Sequence, residues 1–212
     1  MKNSWDKTFI ESLSLYEQHS KCSAKQVACI LVKDNNILSI GINGTLSGKT
    51  NCNEKFKKKS EQWYKKNEDN YWVKCKNNEH SEWSKLNEVH AEMNAIKKAT
   101  QGNGFNLEGA TAYISYSPCF NCCKMLVLFG IKRIVFKKPY DDIKEVLNFL
   151  EDNNVEVVYW DNDIKTLLVG HSGYTIRLDK EGYIHEVSNN EEGCIYSSFS
   201  FNLYKLKLKE LY

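Results

Sequence analysis

The 212-residue sequence predicts an α/β fold, a mixed, mostly five-stranded sheet flanked by helices, with a β-rich appendage at its C-terminal end. Three features predict it. Strand-like apolar runs alternate with amphipathic stretches from Thr111 to Tyr159 in the order β-α-β-α-β, and such units join parallel strands through helical crossovers. An amphipathic segment and a hairpin precede them. Hydrophobic residues make up 42% and charged residues 26%, globular proportions that exclude a disordered or fibrous chain.

Trp5, Phe9, Leu13 and Tyr16 form the apolar stripe of a first helix within residues 3–20. Ala28 to Val32 and Ile37 to Gly41 are apolar runs joined by the turn-prone Asp34-Asn35-Asn36, which reads as a hairpin. Residues 51–79 are rich in lysine, lack sustained apolar periodicity and read as a partly ordered insertion. A helix over Asn87 to Thr100 follows, with Val89, Met93 and Ile96 at helical spacing, Ala91, Ala95 and Ala99 keeping one face small, and Gly102-Asn103-Gly104 as its stop. Strands at Thr111–Ser115, Arg133–Phe136 and Val155–Tyr159 then alternate with helices at Cys119–Phe129 and Asp142–Leu150. Beyond Asp163, short alternating runs such as Tyr174 to Leu178 and Leu206-Lys207-Leu208 predict the appendage, dividing the chain into residues 1–163 and 164–212. The role of the second part is not legible.

Lysine and arginine number 29 against 27 acids, a net charge of +2 that implies no polyanionic partner but leaves a small anion open. No run reaches the roughly 18 apolar residues of a membrane span, and Met1 to Ser20 lacks an apolar signal core, so a cytoplasmic protein without a membrane partner is expected. In that setting the eight cysteines read as metal ligands, nucleophiles or buried apolar residues rather than disulfides.

The chemistry concentrates in His90-Ala91-Glu92 and Pro118-Cys119-Phe120-Asn121-Cys122. Cys119 and Cys122 are three apart at a helix start, so both sulfurs leave one face, where the helix dipole favours thiolates. One imidazole and two thiolates are three zinc ligands; the fourth tetrahedral position is left for water. Glu92 is placed to shuttle protons over that position. A closed zinc knuckle with Cys123 as fourth ligand is the alternative, although it has no use for Glu92. The H-x-E and P-C-x-x-C pair is the signature of zinc deaminases.

On these residues the sequence resembles the cytidine deaminase superfamily and, within it, the deoxycytidylate (dCMP) deaminases, the phage-encoded members above all. Gln26-Val27, Gly41-Ile42-Asn43-Gly44, His80-Ser81-Glu82-Trp83-Ser84, Glu92 to Ile96, Ser117-Pro118-Cys119 and Gly130 to Arg133 extend the resemblance over roughly residues 3 to 160. It implies a three-layer cytidine deaminase-like fold and hydrolysis of dCMP to dUMP and ammonia by zinc-activated water, with Glu92 protonating N3 and then the leaving ammonia, supplying dUMP for thymidylate synthesis. It also implies substrate contacts from Asn43, Ser117 and Tyr140, and a second, structural zinc on Cys22, Cys52, His80 and Glu88. For Asn43 a turn role, and for the second set buried thiols beside an exposed histidine, are the plainer readings. A homo-oligomer, a hexamer in the family, and regulation by dCTP and dTTP are implied as well. The chain departs from the family where Thr45-Leu46 follows Asn43-Gly44 in place of a nearby proline, and where Gln101 stands for an arginine of phage relatives.

The residues themselves leave dCMP, dCTP, deoxycytidine and 5-modified cytosine nucleotides open. Asn43 to Thr50 ends like a phosphate loop but lacks its first glycine, and Gly170-His171-Ser172-Gly173 has the wrong spacing for a nucleophile elbow. Two rival functions stand. Lys55, Lys57 to Lys59, Lys65 and Lys66, interleaved with Trp63, Tyr64, Tyr71 and Trp72, form either a stacking platform for a deaminase of cytosine or adenine in single-stranded nucleic acid, or a solvated face with its aromatics turned inward, which is the commoner arrangement. The other rival is a non-catalytic zinc scaffold.

Overall fold

The computed structural model describes residues 3–140, 143–161, 164–169, 174–178, 184–189 and 193–197. Helix α1 (Asn3–Glu17) leads into β1 (Ala28–Lys33) and β2 (Asn36–Ile42), a hairpin whose two-residue turn holds Asp34 and Asn35 at φ 50° and 62°. Both residues tolerate the left-handed region that a tight hairpin requires. Next come β3 (Gly44–Thr45), α2 (Cys52–Lys55), β4 (Phe56–Lys59), β5 (Gln62–Lys66), β6 (Trp72–Lys74), α3 (Glu79–Asn87) and β7 (Glu88–Val89). The second half runs α4 (Ala91–Asn103), β8 (Thr111–Tyr116), α5 (Phe120–Leu128), β9 (Arg133–Lys138), α6 (Lys144–Asp152) and β10 (Glu156–Asp161). Four further strands complete it: β11 (Ile164–Val169), β12 (Tyr174–Leu178), β13 (Ile184–Asn189) and β14 (Gly193–Ser197).

The core is the five-stranded mixed sheet β2-β1-β8-β9-β10, in which β8, β9 and β10 are parallel and β1 is antiparallel to both neighbours. Strands β11 to β14 continue the same sheet beyond β10 as an antiparallel meander. The run at residues 206–208 and the Gly170 to Gly173 motif lie outside the described residues.

Both faces of the five strands are covered, so β1 is apolar along its length rather than alternating. Ala28, Ile30 and Val32 meet Phe9, Ile10 and Leu13 of α1, while Cys29 and Leu31 meet the opposite layer, formed by Ala91, Ala95 and Ala99 of α4, Leu126 of α5 and Leu150 of α6. Arg133 pins α1 across the sheet: its guanidinium donates to both carboxylate oxygens of Asp6 at 2.8 and 2.9 Å, and Nε donates to Glu156 at 2.8 Å.

Four sequence expectations change in detail. Trp5 is half exposed, stacking on Phe9, and the deepest residues of α1 include Ile10 instead. The segment 51–79 carries a short helix and a three-stranded antiparallel meander, β4-β5-β6, packed on α3. The helix expected from Asn87 starts at Ala91, because Glu88 and Val89 pair with Thr45 and Gly44. The buried stripe of α4 is the alanine face, with Ile96, rather than Val89 and Met93. A close approach explains the last point: a Cβ on Gly41 of β2 would lie 2.0 Å from the Ala91 carbonyl oxygen and 2.4 Å from the Ala95 nitrogen. Only small residues let strand and helix come so near.

Candidate active site and metal centres

The N-termini of α4 and α5 converge. His90 and Cys119 are their N-cap residues, both extended (φ −68°, ψ 154° and φ −73°, ψ 163°), and their carbonyls accept the first helical hydrogen bonds from Asn94 and Cys123. Their side chains therefore leave the helices at the positive ends. His90 Nδ1 lies 3.5 Å from Cys119 Sγ and 3.3 Å from Cys122 Sγ, and the three ligand atoms lie within 4.8 Å of one another. Bonds of about 2.0–2.3 Å from a tetrahedral zinc span such edges, so the donor set fits the ion.

Hydrogen bonding from the Cys122 thiol, then from the imidazole, pulls Cys119 down to about 4, while Cys122 is pushed up as it holds the shared proton. Thiolate character is already built into the pair. Cys123 is excluded as a fourth ligand: it is buried in the helix-side core, its thiol faces the Pro118 carbonyl, and burial pushes it up to about 12.

Glu92, the second residue of α4, is 4% exposed, and burial holds its carboxyl above the usual range against the opposing pull of its own backbone N–H and His90. A carboxyl moved towards neutrality in this way is suited to exchanging protons. Of the expected substrate residues, Tyr140 is near enough to Glu92 to feel its charge. Ser117 is buried; its Oγ accepts from the Tyr140 N–H at 2.9 Å and its own N–H donates to the Lys138 carbonyl at 2.8 Å. Burial first, then the charges of Glu92 and Cys119, pushes Tyr140 up to about 12. Asn43 Oδ1 accepts from the Val27 N–H at 2.9 Å and from Ser20 Oγ at 2.6 Å, and Nδ2 donates to the Lys25 carbonyl at 2.9 Å. The asparagine is thus a fixed part of the loop, with one amide hydrogen left over.

A second cluster lies beyond β3 and β7. Cys22, Cys52 and His80 bring ligand atoms within 4.8 Å, with Cys52 Sγ 3.3 Å from His80 Nε2 and Cys22 Sγ 3.4 Å from Glu88 Oε2. Glu88 Oε1 is buried without a hydrogen-bond partner, the condition of an oxygen that fits a cation. Two sulfurs, one imidazole and one carboxylate suit a closed structural zinc site. Ser84, one turn back on α3, donates to Glu88. Trp63 stacks on His80 with ring centroids 3.8 Å apart, and Phe56 meets the same ring edge-on. That stacking occupies Trp63, and Trp72 lies under Lys57 and Lys66, which leaves the basic run as a face with these aromatics engaged rather than a stacking platform.

Sequence reasoning did not single out Ser20, Lys25 or Ser84. Ser84 carried a signal, four residues before a candidate ligand on a helix; the other two act through partners distant in sequence.

A covered α/β sheet, a histidine and two cysteines at paired helix starts, and a buried glutamate beside them define a zinc-dependent deaminase of the class that acts on nucleobases. Residues 3–138 match the cytidine and deoxycytidylate deaminase zinc-binding region, and the chain belongs to that family. It is 34% identical over 178 residues to the deoxycytidylate deaminase of Enterobacteria phage T2, covering 73% of this chain and 94% of that one, and 32% identical to that of phage T4 with the same coverage. The fission yeast Schizosaccharomyces pombe enzyme of the same name is 30% identical, over 73% of this chain and 43% of its own. Among solved structures, the dCMP deaminase of cyanophage S-TIM5 in complex with dCMP and dUMP superposes with a TM-score of 0.54 at 28% identity, covering 73% of this chain and 95% of that one.

Proposed function

We propose that the chain hydrolyses dCMP to dUMP and ammonia. The observation that carries the reading is Glu92, buried at the start of α4 beside the His90, Cys119 and Cys122 cluster, in a chain whose phage relatives are named for this activity. His90, Cys119 and Cys122 would hold a zinc ion, which would supply a water made nucleophilic near neutral pH for addition to C4 of the cytosine ring. Glu92 takes one proton from the attacking water and gives it to N3, then takes the second from the resulting C4 hydroxyl and gives it to the departing ammonia. Burial raises its carboxyl above the ordinary range, which eases proton uptake, and holds it away from bulk water. The amide hydrogen of Asn43 left over by the loop is available to the sugar, and Ser117 holds the backbone of Tyr140 for its own contact.

The family likeness extends the proposal to a structural zinc on Cys22, Cys52, His80 and Glu88, supported by the unpaired Glu88 oxygen, and to a homo-oligomer, a hexamer, regulated by dCTP and dTTP. The C-terminal residues 164–212 form an extension to the deaminase unit of residues 1–163. Among the described residues no helix is long and apolar enough to cross a membrane, and a cytoplasmic location is proposed with the rest.

The test is conversion of dCMP to dUMP, followed by chromatography, by the zinc-loaded protein and by E92Q. The variant keeps its zinc, measured by elemental analysis, and loses turnover by about 10²–10⁴-fold. An E92Q protein that keeps both zinc and activity refutes the role of Glu92.

A further inference from the structure

A carboxamide serves a substrate only when the right end of it faces out. Turned by 180° about its last bond, the Asn43 side chain would present an oxygen where the sugar is to meet an N–H, so something must fix its orientation. The chain does this at the oxygen. Asn43 Oδ1 accepts from the Val27 N–H at 2.9 Å and from the Ser20 hydroxyl at 2.6 Å, which occupies both of its lone pairs, while Nδ2 donates one hydrogen to the Lys25 carbonyl at 2.9 Å. The second hydrogen is the one left for substrate.

Among the described residues Ser20 is the one side chain bonded to that amide, since Val27 and Lys25 contribute backbone atoms. It lies beyond α1, 23 positions before its partner, and is 4% exposed. A free hydroxyl would accept from Nδ2 as readily as it donates to Oδ1 and would select neither orientation. This one is held. The Ser20 N–H donates to the Glu17 carbonyl at 2.9 Å, its carbonyl accepts from Gln26 Nε2 at 3.0 Å, and its Oγ accepts from the Cys22 N–H at 3.2 Å. With Cys22 donating to the oxygen from one side, the hydroxyl proton is turned to the other, where Asn43 Oδ1 is closer than the Asn43 carbonyl at 3.1 Å.

We propose that Ser20 is a positioning residue of the sugar subsite: its hydroxyl holds the Asn43 carboxamide with Nδ2 towards the deoxyribose, and it acts on substrate binding without touching a reacting atom. The inference rests on the dCMP reading. It is tested by measuring kcat and KM for dCMP, and calorimetric binding of dUMP, with the zinc-loaded wild type, S20A, S20C, N43A and the double variants S20A/N43A and S20C/N43A. S23A is the control, because Ser23 lies on the same loop and its Oγ donates to the Phe56 carbonyl at 2.9 Å, away from Asn43. Zinc content and circular dichroism check that each variant is loaded and folded.

Loss of one neutral hydrogen bond raises KM for dCMP by about 3–10-fold in S20A, weakens dUMP by a similar factor and leaves kcat within about twofold of wild type. S20C, whose thiol is a weaker donor, falls between the two, and S23A binds as wild type does. Because Ser20 works through Asn43, S20A/N43A has the KM of N43A alone. Losses that add in the double variant overturn the proposal, since Ser20 then supports the loop and not the amide. So does an S20A that binds dUMP as wild type does, or an S23A that loses as much as S20A. Should S20A fail to fold, S20C and S20C/N43A carry the same comparison. A wild type that turns over no dCMP refutes the dCMP reading and this inference with it, whereas an active wild type with additive losses refutes this inference alone.

Discussion

Replacing Gly41 with alanine tests whether the close contact between β2 and α4 positions the reacting groups. The added methyl would sit 2.0 Å from the Ala91 carbonyl oxygen, 2.4 Å from the Ala95 nitrogen and 3.0 Å from the Ala95 Cα, and all three are backbone atoms that no rotamer change can move. Restoring a separation of even 3.0 Å from the nearest oxygen requires the first turn of α4 to retreat by about 1 Å. That turn carries Glu92, and His90 caps it. Overpacking of this kind costs about 1–3 kcal/mol, which for a chain of this size lowers Tm by roughly 2–12 °C. A shift of about 1 Å at a catalytic group reduces turnover by roughly 100-fold. Gly44 is the control: a Cβ there meets nothing within 4 Å, so G44A keeps its stability. Thermal unfolding of the zinc-loaded proteins and kcat on dCMP are the readouts. G41A with wild-type Tm and wild-type kcat would show that α4 is free to move and that its packing does not hold the site.

Other expectations concern the ion pair across the sheet and the two clusters. Asp6→Asn removes the carboxylate held by the Arg133 fork and lowers stability by about 1.5–3 kcal/mol, read as a fall in the midpoint of urea unfolding. Tyr113 donates to the same carboxylate at 2.6 Å, and burial, then that bond, raises its hydroxyl above the ordinary value of 10.0. Because the folded pKa is raised, its stabilising contribution is complete below pH 10 and is lost as pH climbs: the advantage of wild type over Y113F shrinks by about 1.4 kcal/mol per pH unit above 10, and an advantage independent of pH there contradicts the assignment. Elemental analysis finds two zinc ions per wild-type chain, one for each cluster, and one in C52S, which also unfolds at lower temperature. C119S loses the other ion together with activity, and a single zinc in the wild type contradicts the second site.

The alternating strands and helices from Thr111 to Tyr159 were legible because each buries a regular face, and the His90, Glu92, Cys119 and Cys122 set was legible because zinc chemistry fixes residue type and spacing. The start of α4 was not. Val89 continues the helical period, yet its backbone pairs with Gly44, a partner 45 positions away, and tertiary pairing overrides local pattern. The three-stranded meander escaped notice because its strands are short and lysine-rich, and its buried residues face a cluster of Cys22, Cys52, Phe56 and Cys75 rather than an apolar core.

The most direct test of the account is ammonia release by the zinc-loaded protein with dCMP, dCTP, deoxycytidine, CMP and a cytosine-containing single-stranded DNA oligomer, each compared by kcat/KM. The highest value falls on dCMP if the cluster, Glu92 and the surrounding pocket act as described. Turnover of the oligomer alone, or of none of the five, contradicts it.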